Sequence, residues 1–185
     1  MYTSLLQDAR FFDFLLQCDQ DLAEAVRAGK CGRCGGKLHG ANYPRKPRGG
    51  PGADFVVRLS FCCAGEGCRK RHTPPSLRFL GRRVYWGAVF VLVGVMRHGA
   101  TATKLRELQE LIGISGRTLG RWRTWWQTLF ARSSFWKAAR ASVGAPIPAS
   151  GLPHELFQCF RGDVQEKLLA FLRFLSPIST GGRTF

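Results

Sequence analysis

Five of the chain's seven cysteines fall into two groups whose spacing suits metal binding. The first, Cys31-Gly32-Arg33-Cys34, is a C-x2-C turn that runs into Gly35 and Gly36. Such a turn points two thiolates at one centre while nearby backbone amides stabilise their charge. The second group is Cys62, Cys63 and Cys68, about thirty residues further on. Cys31, Cys34, Cys63 and Cys68 are therefore the expected ligands of one Zn2+, which takes four thiolates in a tetrahedron. The second turn leaves a choice of ligand, because Cys63 to Cys68 is C-x4-C and Cys62 to Cys68 is C-x5-C. The shorter loop favours Cys63, with Cys62 on the other face of its strand and His72 as a reserve ligand. No H-E-x-x-H or H-x-E pattern is present, which argues against a catalytic zinc with an open position and a general base. Cys18 and Cys159 stand alone in apolar helical patterns and read as core thiols.

A second stretch with chemistry in it runs over residues 104–122. Leu105, Leu108 and Leu111 or Ile112 line one face of a helix, Gly113 supplies a left-handed residue to end it, and Ile114 plugs the turn. Ser115 then caps a second helix in which Leu119, Trp122 and Trp126 face inward. That is the pattern of a helix-turn-helix, and it places Arg117, Thr118, Arg121 and Thr124 on the open face. Arginine there can donate two hydrogen bonds to guanine, and threonine can meet a phosphate or a thymine methyl. Lys104, Arg106 and Arg123 are expected near phosphates. Further phosphate contacts are expected from Arg69, Lys70 and Arg71, from Arg82-Arg83, and from the proline-stiffened loop carrying Arg45 and Lys46.

These residues need elements to hold them. Residues 5–28 carry apolar side chains at helical spacing, from Leu5, Leu6 and Phe12 through Leu15 and Leu16 to Val26, and Gly29 is the natural stop. Residues 30–75 turn to Cys, Gly, Pro and Arg, with one strand candidate at 55–61 and too few apolar residues to fold without a staple. Residues 84–98 are apolar nearly all round and predict a central helix against which later helices pack. Tyr85, Trp86, Trp125, Trp126, Phe130, Phe135 and Trp136 read as its packing cluster. Residues 143–151 have linker composition, and two short closing helices follow.

Composition bounds the function. A 45% apolar content is that of a chain with a packed core, and 28 Lys and Arg against 12 Asp and Glu leave a net charge of +16. Self-repulsion on that scale points to a polyanionic partner, and nucleic acid is the obvious one. The opening residues lack a secretory leader's basic region and cleavage site, and the longest apolar run is too short to span a bilayer. A cytoplasmic, nucleoid-associated protein without a membrane partner is expected, and in that reducing compartment close thiols are metal ligands rather than disulfides.

Taken in order, the Cys31–Cys34 and Cys63–Cys68 turns, the run Arg69-Lys70-Arg71-His72-Thr73-Pro74-Pro75-Ser76, the long apolar helix and Ser115-Gly116-Arg117-Thr118-Leu119-Gly120-Arg121-Trp122 resemble the front end of bacterial insertion-sequence transposases. There a zinc ribbon precedes a helix-turn-helix and a metal-dependent nuclease domain. The resemblance covers roughly residues 30–130. It implies recognition of transposon ends by Arg117, Thr118 and Arg121, and a separate transposase subunit as a further partner. The segment after Trp136 offers only Glu155, Asp163 and Glu166 in a short helical region, too small for the nuclease fold, so no enzymatic activity is expected of the chain itself.

The expected protein is mainly α with a small β zinc ribbon and a helix-turn-helix bundle. Its parts are a helical segment (1–29), the ribbon (30–81), the helix-turn-helix (82–140), and a linker with C-terminal helices (141–185). Zinc-stabilised binding of duplex DNA is the leading function. An RNA- or ribosome-associated zinc-ribbon protein is the alternative.

Overall fold

The structure, a computed structural model, describes residues 2–81, 83–96, 102–144 and 146–180. Arg82, His98, the 181–185 tail and the side chains of Lys104, Leu105 and Leu108, all named in the expectations above, lie outside the described residues.

A short helix α1 (Tyr2–Leu5) leads into α2 (Ala9–Ala28), which starts where the Asp8 carboxylate accepts from the Arg10 N–H. Phe11, Phe12, Leu15, Cys18, Asp19 and Ala23 are buried along one face of α2 at helical spacing. Five short strands follow. β1 (Leu38–Gly40), β4 (Phe61–Cys63) and β5 (Arg71–His72) form a three-stranded antiparallel sheet with β4 in the middle, and β2 (Tyr43–Pro44) pairs with β3 (Val57–Arg58).

The expected strand over 55–61 is thus two strands in two sheets. The chain changes partner at Ser60, whose N–H goes to the Asn42 side chain and whose carbonyl accepts from Ala41 N–H. Arg58, just before this break, turns its guanidinium inward to the carbonyls of Pro74 and Ser179.

The expected central helix is α3 (Gly87–Met96), and all its residues from Gly87 to Val93 are buried. It packs against α5 (Gly116–Thr124), α7 (His154–Gln158) and α8 (Val164–Leu175). The Phe90 ring lies 4.9 Å from Trp122, 5.2 Å from Trp125 and 5.3 Å from Trp126 between ring centres. Such ring pairs add specificity to the burial of large apolar area.

Beyond α5 the chain departs from a plain α-helix. Residues Trp125–Phe130 wind as a π-helix. Its wider turn buries the consecutive Trp125 and Trp126 and leaves Leu129 57% exposed. Thr128 Oγ1 donates to the Thr124 carbonyl at 2.6 Å, a back-bond of the kind that bends helices. The helix α6 (Ser134–Ala139) then starts on the Ser133 cap. Short 3-10 turns follow at Arg140–Val143 and Ala149–Gly151, at the two ends of the stretch with linker composition. Asp163 and Glu166, two of the three late acids, close a reciprocal cap on α8 and so serve its N-terminus.

One apolar core runs from Leu6 in the first turn of the chain to Ile178 near its end, while a smaller one joins Ala23, Cys31, Leu38, Phe61 and Cys63. Residues 1–29 are therefore not peripheral. Phe12 of α2 meets Trp86 edge-on at 5.0 Å, and Ala23 of the same helix belongs to the smaller core.

The joint between the two cores is polar. Asp19, 1% exposed, accepts from Ser76 Oγ and Leu77 N–H at 2.6 Å and from Arg78 Nε at 2.9 Å. Arg78 spends its remaining N–H groups on the carbonyls of Phe55 and Val57. Arg58 lies beside this pair, and burial, partly offset by Asp19, pushes its guanidinium below its ordinary pKa. Every residue that holds Asp19 comes from the 76–78 segment, so one carboxylate clamps α2 to the chain entering α3. Asp19→Asn leaves Arg78 as a buried cation without its counter-charge and is expected to cost about 3–5 kcal/mol in urea unfolding. Glu24→Gln, which breaks the exposed 3.9 Å pair with Arg27, is the control and is expected to stay within about 0.5 kcal/mol.

Candidate metal centre and basic helix surface

The first cysteine turn closes through Gly35 N–H to Cys31 carbonyl at 2.7 Å and Cys31 N–H to Gly36 carbonyl at 3.0 Å. The second closes through Cys68 N–H to the Gly65 carbonyl, and the two are tied by Ala64 N–H to the Lys37 carbonyl. Gly36 sits where a Cβ would lie 3.1 Å from Cys63 Sγ and 3.4 Å from Cys34 Sγ, so a side chain there would crowd the converging thiols.

The ligand atoms of Cys31, Cys34, Cys63 and Cys68 all lie within 4.8 Å of one another and could hold a metal ion. Cys31 Sγ is 3.8 Å from Cys68 Sγ, and Cys34 Sγ is 3.3 Å from Cys63 Sγ. A tetrahedron of sulfurs at zinc's bond length has edges of about 3.8 Å, so the spacing fits such an ion with small adjustments. Cys62 takes the opposite face of β4 and its thiol donates to the Arg69 carbonyl at 3.3 Å. His72 Nε2 stands 3.2 Å from Cys31 Sγ, a hydrogen-bonding partner to that sulfur beside the group of four.

Cys31 and Cys63 do not ionise alike. Backbone N–H groups, that of Arg33 first, hold Cys31 down at about 5 against the opposing effect of burial, helped by Cys34 N–H and His72. For Cys63 the Gly65 N–H pulls in the same direction, but burial and the neighbouring thiols of Cys34, Cys31 and Cys68 outweigh it and push the group up to about 12. Deprotonating all four thiols at this spacing would require a cation between them, which a metal that coordinates thiolate would supply.

The second stretch also folds as a helix, a tight turn and a helix. α4 (Ala102–Ile112) ends at Gly113, whose φ of +64° is the left-handed conformation that lets the chain turn sharply. Ile112 and Ile114 are buried and Leu111 is 41% exposed, which decides the open choice at the end of α4. Ser115 caps α5 by accepting from Thr118 N–H at 3.3 Å. Leu119, Trp122 and Trp126 face the core, while Arg117, Arg121, Arg123 and Thr124 are exposed.

Three expected contacts differ in the structure. Thr118 is only 7% exposed, because its position in the first turn faces the Ser115 cap, and its hydroxyl accepts from Arg121 Nη2 at 3.2 Å. Arg45 turns inward to donate to the carbonyls of Gly81 at 3.0 Å and Arg83 at 2.7 Å, with its guanidinium 5.4 Å from the Phe79 ring centre. Arg71 is exposed but donates to the Ala41 carbonyl and Ser60 Oγ, both at 2.9 Å. These arginines fasten the sheet region to itself and to the chain before α3. Lys46, Arg69 and Lys70 are exposed, and Arg69 itself is left-handed at φ +43°.

Sequence reasoning missed the Asp19, Arg58 and Arg78 cluster. One signal was there: Asp19 falls on the apolar face of its helix, four residues after Leu15 and four before Ala23, where a carboxylate needs a partner.

Serine replacement separates the cysteines. Cys63→Ser is expected to lose metal from purified protein, measured by elemental analysis, and to unfold the sheet region, whereas Cys62→Ser keeps about one ion per chain. Because coordinated thiols must be deprotonated, metal affinity falls as pH is lowered, so acid titration in the presence of a chromogenic chelator should release the ion.

Among the described residues no helix is long and apolar enough to cross a membrane. Comparisons with protein-family models, with curated proteins and with solved structures find no match to this chain.

Proposed function

We propose that the chain is a zinc-stabilised DNA-binding protein that reads duplex DNA through α5 and serves a transposition system as an accessory without a nuclease of its own. The observation that carries this reading is the surface of α5: Arg117, Arg121 and Arg123 stand exposed on a helix capped by Ser115 directly after the Gly113 turn. A helix entered by such a turn can lie in the major groove, where guanidinium groups reach guanine edges and phosphates. The net charge of +16 supports a polyanionic partner. The four-cysteine cluster suits zinc above other metals because thiolate sets with tetrahedral spacing favour it, and zinc there holds the sheet region in shape.

The acids support a binding role over a catalytic one. Asp163 and Glu166 are engaged at the N-terminus of α8, and Asp19 is engaged with Arg78.

Fluorescence anisotropy with labelled duplex DNA at several salt concentrations tests the reading. Affinity should fall steeply with salt, and Arg117→Ala with Arg121→Ala should each weaken binding roughly tenfold or more. A log–log slope near zero, or unchanged affinity in the double variant, overturns it. Tighter binding to structured RNA than to duplex DNA reassigns the protein to RNA.

A further inference from the structure

The exposed face of α5 does not stand alone. Arg117 and Arg121 share an open hollow of about 600 Å³ with Arg83, Trp125 and Leu129. Arg83 comes from the segment before α3, so the hollow gathers cations from two parts of the chain onto a partly apolar wall. Three other arginines drawn inward donate to oxygen: Arg45 to the carbonyls of Gly81 and Arg83, Arg58 through Nη2 to those of Pro74 and Ser179, and Arg78 to Asp19. Arg83 is built differently. Its guanidinium carbon lies 4.1 Å from the Phe90 ring centre and 4.0 Å from that of Trp125. Among the described residues the ion pairs are Arg27–Glu24 and Arg78–Asp19, so no carboxylate there neutralises Arg83.

The two rings, inclined by 72° to one another, form a corner that seats the guanidinium and strips part of its water while leaving it open to the hollow. Burial pushes its pKa down to about 10, well above neutrality, so the group stays charged. A cation held in place, partly desolvated and without a counter-charge gains more from an arriving anion than a solvated surface arginine does. Arg117 and Arg121 at the same hollow add two further donors with the fork geometry that suits phosphate oxygens. The π-helical turn at Trp125–Phe130 shapes this wall by holding Trp125 under Arg83 and Leu129 at the rim.

We propose that this hollow is a phosphate-binding site in which Arg83, seated in the corner made by the Phe90 and Trp125 rings, works with Arg117 and Arg121 on a single phosphate group. The phosphate has two sources, a nucleic-acid backbone or a free phosphorylated small molecule. The first rests on the DNA reading above; the second does not.

The experiment uses the full metal-loaded chain and two probes, inorganic tripolyphosphate and duplex DNA, with Arg83→Gln and Arg83→Lys as variants. Arginine side-chain NMR of the unaltered protein should show the Arg83 Nε–H resonance moving as tripolyphosphate is added, a readout that needs no variant to fold. Arg83→Gln should weaken tripolyphosphate binding about tenfold or more, and Arg83→Lys by less, since charge is kept and stacking lost. With duplex DNA, Arg83→Gln should lower the log–log salt slope by about 1, the loss of one phosphate contact. Tripolyphosphate binding that depends on Arg83 in a protein that binds no duplex upholds the hollow, assigns it a free phosphorylated ligand and sinks the DNA reading. An Arg83 resonance unmoved by tripolyphosphate, with duplex affinity and slope unchanged in Arg83→Gln, overturns the hollow and leaves the DNA reading standing.

Discussion

Asp19 carries a full charge into the interior, and the way that charge is met decides how the rest of the chain assembles. Its oxygens accept from Ser76, Leu77 and Arg78, three consecutive residues of a segment with no regular secondary structure of its own. Without the carboxylate those donors would be buried and unsatisfied, at a cost that exceeds the worth of an ordinary hydrogen bond. The same Arg78 reaches back to the carbonyls of Phe55 and Val57, so α2, the approach to β3 and the entry to α3 share one ionic node. A buried pair of this kind contributes little over a hydrophobic substitute, but it is unforgiving of displacement. It therefore fixes where the segment leading into α3 starts, and α3 in turn sets the position of everything packed on it.

The cysteine region depends on that node for its place and on its thiolates for its shape. Its apolar core is Ala23, Cys31, Leu38, Phe61 and Cys63, and one of these belongs to α2. Burying two or three apolar side chains yields only a few kcal/mol, too little to offset the entropy of ordering about forty residues. A metal held by the four thiolates would contribute on the order of 10 kcal/mol and remove that deficit. Gly36 shows the same constraint locally, since a side chain there would press on the sulfurs of Cys34 and Cys63.

Much of this was legible in the residues, and what was not has a common cause. Periodicity located α2, α3 and α8 because each buries a continuous face, and cysteine spacing picked out the four thiols that converge. Capping chemistry named Ser115 and Gly113 because both act within a few residues of themselves. Local rules failed where a distant partner decided the outcome. The strand at 55–61 breaks because Ser60 and Arg58 answer to Asn42, Pro74 and Ser179. Thr118 was placed on the open face by helical phase alone, yet phase could not show that the Ser115 cap and Arg121 would close over it. The π-helical turn left no mark in the pattern, since consecutive tryptophans are read equally well as one ordinary turn of helix with a wide apolar face.

Net charge was the strongest compositional signal, and the structure changes what it means. Arg45, Arg58, Arg71 and Arg78 act as connectors, each donating at least one N–H to a carbonyl, a hydroxyl or Asp19. These side chains raise the overall potential, but Arg58 and Arg78, each 1% exposed, are not free to meet a ligand. Arg117 and Arg121 are exposed, and they are brought beside Arg83 by packing rather than by charge: Leu119 and Trp122 dock α5 on α3, and Phe90 and Trp125 hold Arg83 from below. Like charges that repel in solution are thus assembled at the expense of apolar burial. The repulsion stored in that arrangement is released when an anion enters, so the aromatic core beneath α5 is what converts a diffuse excess of arginine into a localised site.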